Sequence, residues 1–523
     1  MDIFYDSGNE LCKSPQGAVV YGTEITLRFL ARRGLVRGAI LSVWADGYTA
    51  GEGYDCEFSA MLGNFELYEV RFTPREAGLY WLWFELYTEE GTRFIHGPEN
   101  ERHMQLTVYE KSDNDVSKPL VMYHAFVDRF NAKRGGVPEW RAKKIGADFF
   151  GGNLKGITEQ VEYLEKLGVS HLYLSPIFTA PSNHKYNTTN FGEIDPAFGN
   201  ETDFARLCAA AKARGIAVIL DGVFNHSAPC ERYAKWHSGD FWWGNPDLPA
   251  FDKSNAEFID YISGENGILT KWLTLGASGY RLDVVDELPD VFLQPLCDRV
   301  RASGGLLIGE CWEDPTNKVA YGIRRKYLLG KQLHGTMNYP FREAVLSYLT
   351  SNDAGFIANY LEIFLANIPE PNQPYMMNIL GTHDTIRAMT ALGTTRVLPP
   401  ADERGRLEFS SFALTERERR LGEKRMKLAS LLQYALPGFP SVYYGDEQGF
   451  EGGADPFNRA PLLFPAPDGE LRKHYENLGK MRRDIPALSQ GTTRILKASG
   501  SVISFSREYN GEVKVFTIDS EAG

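Results

Sequence analysis

Nowhere in the 523 residues do 18 apolar residues run together, Lys and Arg never cluster with interleaved aromatics, and no two cysteines form a CxxC pair. The first absence argues against a transmembrane helix. The second joins a balance of 56 Lys+Arg against 68 Asp+Glu, a net charge of −12, which repels phosphate backbones and anionic lipid. DNA, RNA and membrane partners are therefore not expected. The third leaves Cys12, Cys56, Cys208, Cys230, Cys297 and Cys311 without zinc-finger spacing or a disulfide framework, and reduced thiols are expected. The opening "MDIFYDSGNE" has neither a basic n-region nor an apolar h-region. Together these readings predict a soluble, cytoplasmic chain.

Low-complexity tracts and internal repeats are also absent, and a composition 43% hydrophobic and 24% charged is that of a folded globular protein. At about 150 residues per domain the length suggests about three domains, unless one large α/β barrel absorbs two of those units. From about residue 18 to 109, short runs such as "AVVYGTEITLRFLA", "GAILSVWAD" and "GLYWLWFELYT" alternate with Gly, Pro and Asp turns, which reads as a β-sandwich. The polar, Pro-terminated "KSDNDVSKP" reads as a linker.

After the linker, strands alternate with helices. Eight strand candidates follow in order: "LVMYHAFV", "HLYLSPIF", "IAVILDGVF", "SGYRLDVV", "GLLIGECW", "HGTMNY", "YMMNILGTHD" and "FPSVYYGDE". Eight such strands over about 350 residues predict a (β/α)8 TIM barrel rather than a doubly wound sheet. The stretch 224–256 is too long for an ordinary βα loop and reads as an inserted lobe. The predicted domains are a β-sandwich over 1–115, the barrel over 116–470 with that lobe, and a short C-terminal β-domain over 471–523.

Barrel enzymes carry their chemistry at the C-terminal ends of the strands. There the third strand offers Asp221, Asn225 and His226, the fourth Arg281 and Asp283, the fifth Glu310, and the seventh His383 and Asp384. Each alone could cap a helix or complete an ion pair. Jointly, so many charged groups in one cavity cost several kcal/mol each on burial unless substrate chemistry uses them. Glycosidic cleavage uses such a set, with one carboxylate as nucleophile or base and a second as acid.

"DGVFNH", "GYRLDVVDE", "GECWED" and "LGTHDT", in that order, resemble the four signature regions of the α-amylase superfamily, glycoside hydrolase family 13. "SNHKYNTTNFGEIDPAFG" and "DFFGGNLKGI" are similar to its neopullulanase, cyclomaltodextrinase and maltogenic amylase group. The resemblance implies Asp283 as nucleophile, Glu310 as general acid/base and Asp384 as the acid that steadies the transition state. Arg281 would hold Asp283 ionised, and His226 and His383 would donate to sugar hydroxyls. Asp221 would organise the pocket, His184 and Tyr186 would line the cleaved-sugar site, and Asp455 and Arg459 would bind a sugar beyond it. Trp242 and Trp243 are equally readable as a sugar platform or as the lobe's own small core.

The resemblance implies a retaining enzyme acting on α-1,4 bonds, with α-1,6 as an additional linkage, in maltooligosaccharides, cyclodextrins, pullulan or starch fragments. Val284 beside the nucleophile is compatible with both linkages, and by itself an apolar residue shifts such discrimination by only about 1–3 kcal/mol. Two readings stand beside hydrolysis: an α-glucan transglycosylase, and a noncatalytic glycan-binding barrel. The latter type usually loses one of the acids, and all three are present. The sandwich would bind glycan or mediate a homodimer.

Several positions depart from the group's pattern. Asn187 and Asn190 stand where aspartates are usual, keeping hydrogen bonds and losing charge. The region that commonly holds calcium offers Asn131, Gly151 and Asn153, while Lys133 and Arg134 oppose a cation. No metal or cofactor is expected to be required. The C-terminal β region is short for the family, which leaves open an abbreviated domain or a chain that is part of a longer one.

Overall fold

The computed structural model describes residues 2–96, 103–111, 116–132, 148–399, 408–409 and 412–522. Lys133, Arg134 and part of the expected linker, 112–115, lie outside them. Two compact units are present.

The first unit contains Met1–Asn114 and two later segments, Asp314–Gln332 and Asn359–Gln373. Its strands form a five-stranded and a six-stranded sheet. In Ile25–Arg32, buried and half-buried residues alternate, so Ile25, Leu27, Phe29 and Ala31 share one face. They join Leu41, Val43, Leu82, Phe84 and Leu106 in one core, the arrangement expected of two facing sheets. The segment Asp314–Gln332 carries a hairpin whose Arg324 pairs with Asp46 at 2.8 Å, and Gln105 donates to Thr316 Oγ1 at 2.7 Å. Sequence reading had placed these later segments with the barrel.

The second unit is built on a closed parallel barrel. Its strands are β1 (Met122–Ala125), β2 (His171–Leu174), β3 (Ala217–Gly222), β4 (Gly279–Leu282), β5 (Leu306–Gly309), β6 (Gly335–Asn338), β7 (Met377–Ile379) and β8 (Phe439–Tyr443). Each pairs with its neighbour in chain order, and β8 closes on β1. All eight come from the eight predicted runs. They are buried on both faces, which is why they read as near-continuous apolar stretches. The tight curvature needs a glycine at Gly335, where a Cβ would meet the Tyr375 carbonyl oxygen at 1.9 Å.

Inside the barrel, Met122, Tyr173, Ile219, Ile308, Met337 and Met377 fill one cluster. The lobe after β3 folds as a small antiparallel pair, His237–Phe241 with Pro249–Phe251. At the C-terminus, Thr492–Ser499, Val502–Tyr509 and Glu512–Asp519 form one antiparallel sheet. Among the described residues, no helix is long and apolar enough to cross a membrane.

Candidate active site

Strand ends determine what faces the barrel mouth. Asp221 lies on β3, Arg281 on β4, Asp283 directly after β4, Glu310 directly after β5, and His383 and Asp384 just beyond β7. Arg281 and Asp283 are two residues apart on an extended chain and so point the same way.

Arg281 is the hub. Its side chain is 1% exposed; Nη1 donates to Asp221 Oδ1 at 2.9 Å and to Asp283 Oδ1 at 2.8 Å, and Nη2 lies 2.8 Å from Glu310 Oε2. One guanidinium therefore meets three buried carboxylates, its planar fork spreading the contacts over two terminal nitrogens. Burial works against its charge, and Asp221 and Glu310 more than compensate, holding it protonated. Burial likewise pushes Asp283 well above the ordinary carboxylate range; Arg281 pulls it back, while Glu310, Asp221 and Asp384 push it up again.

Directly after Asp283 the chain turns sharply. Val284 is left-handed, φ 36° and ψ 56°, a conformation that costs a β-branched residue about 1–3 kcal/mol. The turn aims the Val284 N–H at Glu310 Oε2, 2.8 Å away. Trp312 Nε1 donates to Glu310 Oε1 at 3.2 Å, and the Trp312 ring stacks on Tyr339 at 3.8 Å. Both Glu310 oxygens are thus held.

Asp221 sits behind this group, accepting from Tyr173 at 2.5 Å and from Tyr186 at 2.9 Å. Tyr186 lies parallel to His383 at 4.9 Å, with His184 on a second side at 5.9 Å, so one of its ring faces is already covered. His226 is fully buried. Its Nε2 meets the Tyr186 carbonyl at 3.1 Å and its Nδ1 meets Asn225 Nδ2 at 3.3 Å, contacts that assign the proton to Nε2. His226 therefore orients Tyr186. Burial lowers His226 to about 4 and His184 to about 3, leaving both neutral.

Asp384 is more open than Asp221, Asp283 and Glu310, its side chain 33% exposed. His383 Nε2 lies 3.1 Å from Asp384 Oδ2. Arg459 pairs with Asp455 at 2.8 Å and donates through Nε and Nη2 to the His383 carbonyl, pinning the loop that carries Asp384. Asp455 and Arg459 are thus tied to this loop rather than forming a detached surface pair. Loss of hydration, then the Glu310 charge, raises Asp384 to about 7 against the pull of Arg459 and Arg281.

A carboxyl raised on folding contributes stability that is fully present below the unfolded value of about 4 and lost as pH rises through its folded value. Asp384→Asn is therefore expected to be more thermostable than the wild type at pH 8, by about 1 kcal/mol given solvent screening, with the gap closing toward pH 5. Thermal unfolding at the two pH values checks this, and a gap that does not widen at pH 8 counts against it.

Sequence reading missed His124, Tyr173, Trp312 and Tyr339. His124 on β1 is buried, stacks on Tyr173 at 4.3 Å and meets His383 edge-on at 5.3 Å. His124 and Tyr173 occupy paired positions of β1 and β2. A polar atom inside an otherwise apolar strand was the available signal. Trp312 was detectable too, since two residues past Glu310 on an extended chain it points the same way.

Asn131 donates from Nδ2 to the Gly156 carbonyl at 2.8 Å, and Asn153 Oδ1 caps the helix Leu154–Thr158 through Gly156 N–H. Asp128 nearby is paired with Arg129 at 2.8 Å. Asn131 Nδ2, Asn153 Oδ1 and the Asp128 carboxylate are thus engaged by the chain itself. Asn187 Oδ1 accepts from Ser182, and Asn190 Oδ1 from Gly192 N–H, so both act locally without charge.

Acids gathered around one arginine at the C-terminal rim of a closed barrel place the protein among the (β/α)8 enzymes of carbohydrate chemistry. Comparison with known proteins makes this specific: the alpha amylase catalytic domain matches residues 109–242 and 241–494, and the chain belongs to the α-amylase family, glycoside hydrolase family 13. It is 30% identical to an amylopullulanase of Thermoanaerobacter thermohydrosulfuricus across 97% of its own length, and spans 40% of that protein. A cyclomaltodextrinase of Geobacillus thermopakistaniensis is 30% identical over 74% of this chain and 66% of that one. The type III pullulan hydrolase from Thermococcus kodakarensis shares the fold, with a TM-score of 0.66 at 24% identity over 99% of this chain and 94% of that one.

Proposed function

We propose that the chain is a retaining glycoside hydrolase that cleaves α-1,4 glucosidic bonds, with α-1,6 bonds as further substrates, in maltooligosaccharides, cyclodextrins, pullulan or starch fragments. The observation that carries this reading is the bridging of Asp283 and Glu310 by the two terminal nitrogens of Arg281. Carboxylates held by one guanidinium suit the short separation of a covalent mechanism, about 5–5.5 Å, better than the wider gap that admits a water.

In this reading an Asp283 oxygen bonds to the anomeric carbon as the glycosidic C–O bond breaks, and the leaving oxygen takes the proton from Glu310. Glu310 then removes a proton from water, whose oxygen displaces Asp283 and regenerates the α-anomer. Asp384, beside His383, grips the hydroxyls of the sugar being cleaved. Arg281 opposes the rise that burial imposes on the Asp283 carboxyl and so favours its ionised form. The names of the amylopullulanase and cyclomaltodextrinase relatives support the substrate class.

The test is product analysis by chromatography and anomeric NMR after incubation with maltoheptaose, β-cyclodextrin and pullulan. Ring opening, panose from pullulan and release of α-anomers are expected. Release of β-anomers overturns retention, and no turnover of any α-glucan overturns the hydrolase reading. Products longer than the starting oligosaccharide would measure how often a sugar hydroxyl replaces water.

A further inference from the structure

The two tryptophans of the inserted lobe differ sharply in their surroundings. Trp242 is half-buried, and its ring lies flat on His226 at 4.4 Å and 9°. Trp243 stacks on Trp242 at 4.7 Å and 24°, yet is 87% exposed. A ladder of three rings therefore runs from the buried histidine that orients Tyr186 out to solvent.

Trp243 is also held in an unfavourable backbone conformation, φ 52° and ψ 26°, which costs a non-glycine residue about 1–2 kcal/mol. Gly244 follows with φ 67°, so two left-handed residues in succession turn the indole outward. Hydrogen bonds from Trp242 N to Leu248 O, Asn245 N to Trp242 O and Leu248 N to Asn245 O close the turn around it. A lobe folding only for its own core would bury the largest apolar side chain or place Gly or Asn at this position. The core reading fits Tyr233, Trp236, Phe251 and Phe258, which pack together; it does not fit Trp243.

We propose that Trp243 is a stacking platform for a glucose unit of the α-glucan chain outside the cleaved one. The apolar face of a pyranose lies against the indole, and Trp242 braces the platform on His226. The inference rests on the α-glucan reading above and adds a determinant of chain-length preference. A platform that holds substrate and transition state equally changes KM more than kcat.

The experiment compares the wild type, Trp243→Ala and Trp243→Phe on maltotriose and maltoheptaose. It adds calorimetric titration of maltoheptaose into Asp283→Asn with and without Trp243→Ala. For Trp243→Ala the KM for maltoheptaose is expected to rise about 3–10-fold, as for loss of an aromatic contact, with the maltotriose KM within about twofold and Trp243→Phe retaining most of the affinity. The Kd of the Asp283→Asn background should weaken by the same factor. Equal changes for both oligosaccharides, or an unchanged Kd, overturn the proposal. So does a change of oligomeric state in Trp243→Ala with glucan binding intact, which would assign the ring to self-association. Calorimetry needs no turnover, so failure of the hydrolase reading and failure of the platform are separate results. Because the side chain is exposed and its backbone strained, loss of the fold does not explain a negative result; unchanged thermal unfolding of the variant checks this.

Discussion

Asp283→Asn is expected to lower kcat on maltoheptaose by about 10⁴-fold or more, the scale on which removal of a covalent nucleophile is felt. That is at least about 5 kcal/mol of lost transition-state stabilisation. The amide has the shape of the carboxylate and keeps an oxygen for Arg281 Nη1, now 2.8 Å from Asp283 Oδ1. It cannot attack the anomeric carbon. Burial already holds the Asp283 carboxyl well above its ordinary range, so the ionised form costs folding free energy at neutral pH. The variant should accordingly melt no lower than the wild type at pH 7, which separates lost chemistry from lost structure. Glu310→Gln provides the contrast. It should cost about 10²–10⁴-fold on maltoheptaose and recover on an aryl maltoside whose leaving group needs no proton, a recovery Asp283→Asn does not show. Steady-state kinetics on both substrates decides the matter. A folded Asp283→Asn that keeps kcat within about tenfold of the wild type would remove the nucleophile role.

Much of this site was legible because barrel strands are buried on both faces. Against the runs "IAVILDGVF" and "GLLIGECW", Asp221 and Glu310 stand out as polar residues where packing predicts apolar ones. What the sequence left hidden depends on tertiary geometry. The left-handed Val284 contradicts the propensity of a β-branched residue, and only the position of Glu310 26 residues later shows what the turn accomplishes. His226 read as a donor to sugar, but its ring nitrogens are engaged by Tyr186 and Asn225. Trp242 and Trp243 could not be told apart until His226 supplied the face that covers one of them. Nor does local pattern reveal that Asp314–Gln332 and Asn359–Gln373 cluster with strands more than 200 residues earlier, since pairs such as Gln105 and Thr316 leave no periodic signal.

Arg281→Leu is expected to destabilise the protein by about 3–5 kcal/mol at pH 7, the cost of leaving buried partners uncompensated. Asp221 and Asp283 are raised by burial even with the guanidinium in place, and Arg281 is the largest influence opposing that rise in both. Without it their folded values climb further above the unfolded value of about 4. The sign follows: carboxyls raised on folding contribute stability that is present below the unfolded value and lost as pH rises through the folded one. The deficit relative to the wild type should therefore be small near pH 5 and grow toward pH 8. The same shift acts on catalysis, because Asp283 would hold its proton to higher pH, moving the acidic limb of the kcat/KM profile upward. Arg281→Lys retains a charge but not the fork that reaches Asp221, Asp283 and Glu310 together, and should fall between the two in both measurements. Thermal unfolding across pH and the kcat/KM profile read the two effects independently. A deficit that is flat with pH would mean that Arg281 acts through packing against its neighbours, Met337 and Tyr173, rather than through charge. A deficit that grows with pH alongside a shifted acidic limb would make one guanidinium responsible both for tolerating three buried acids and for favouring the ionised form of the nucleophile.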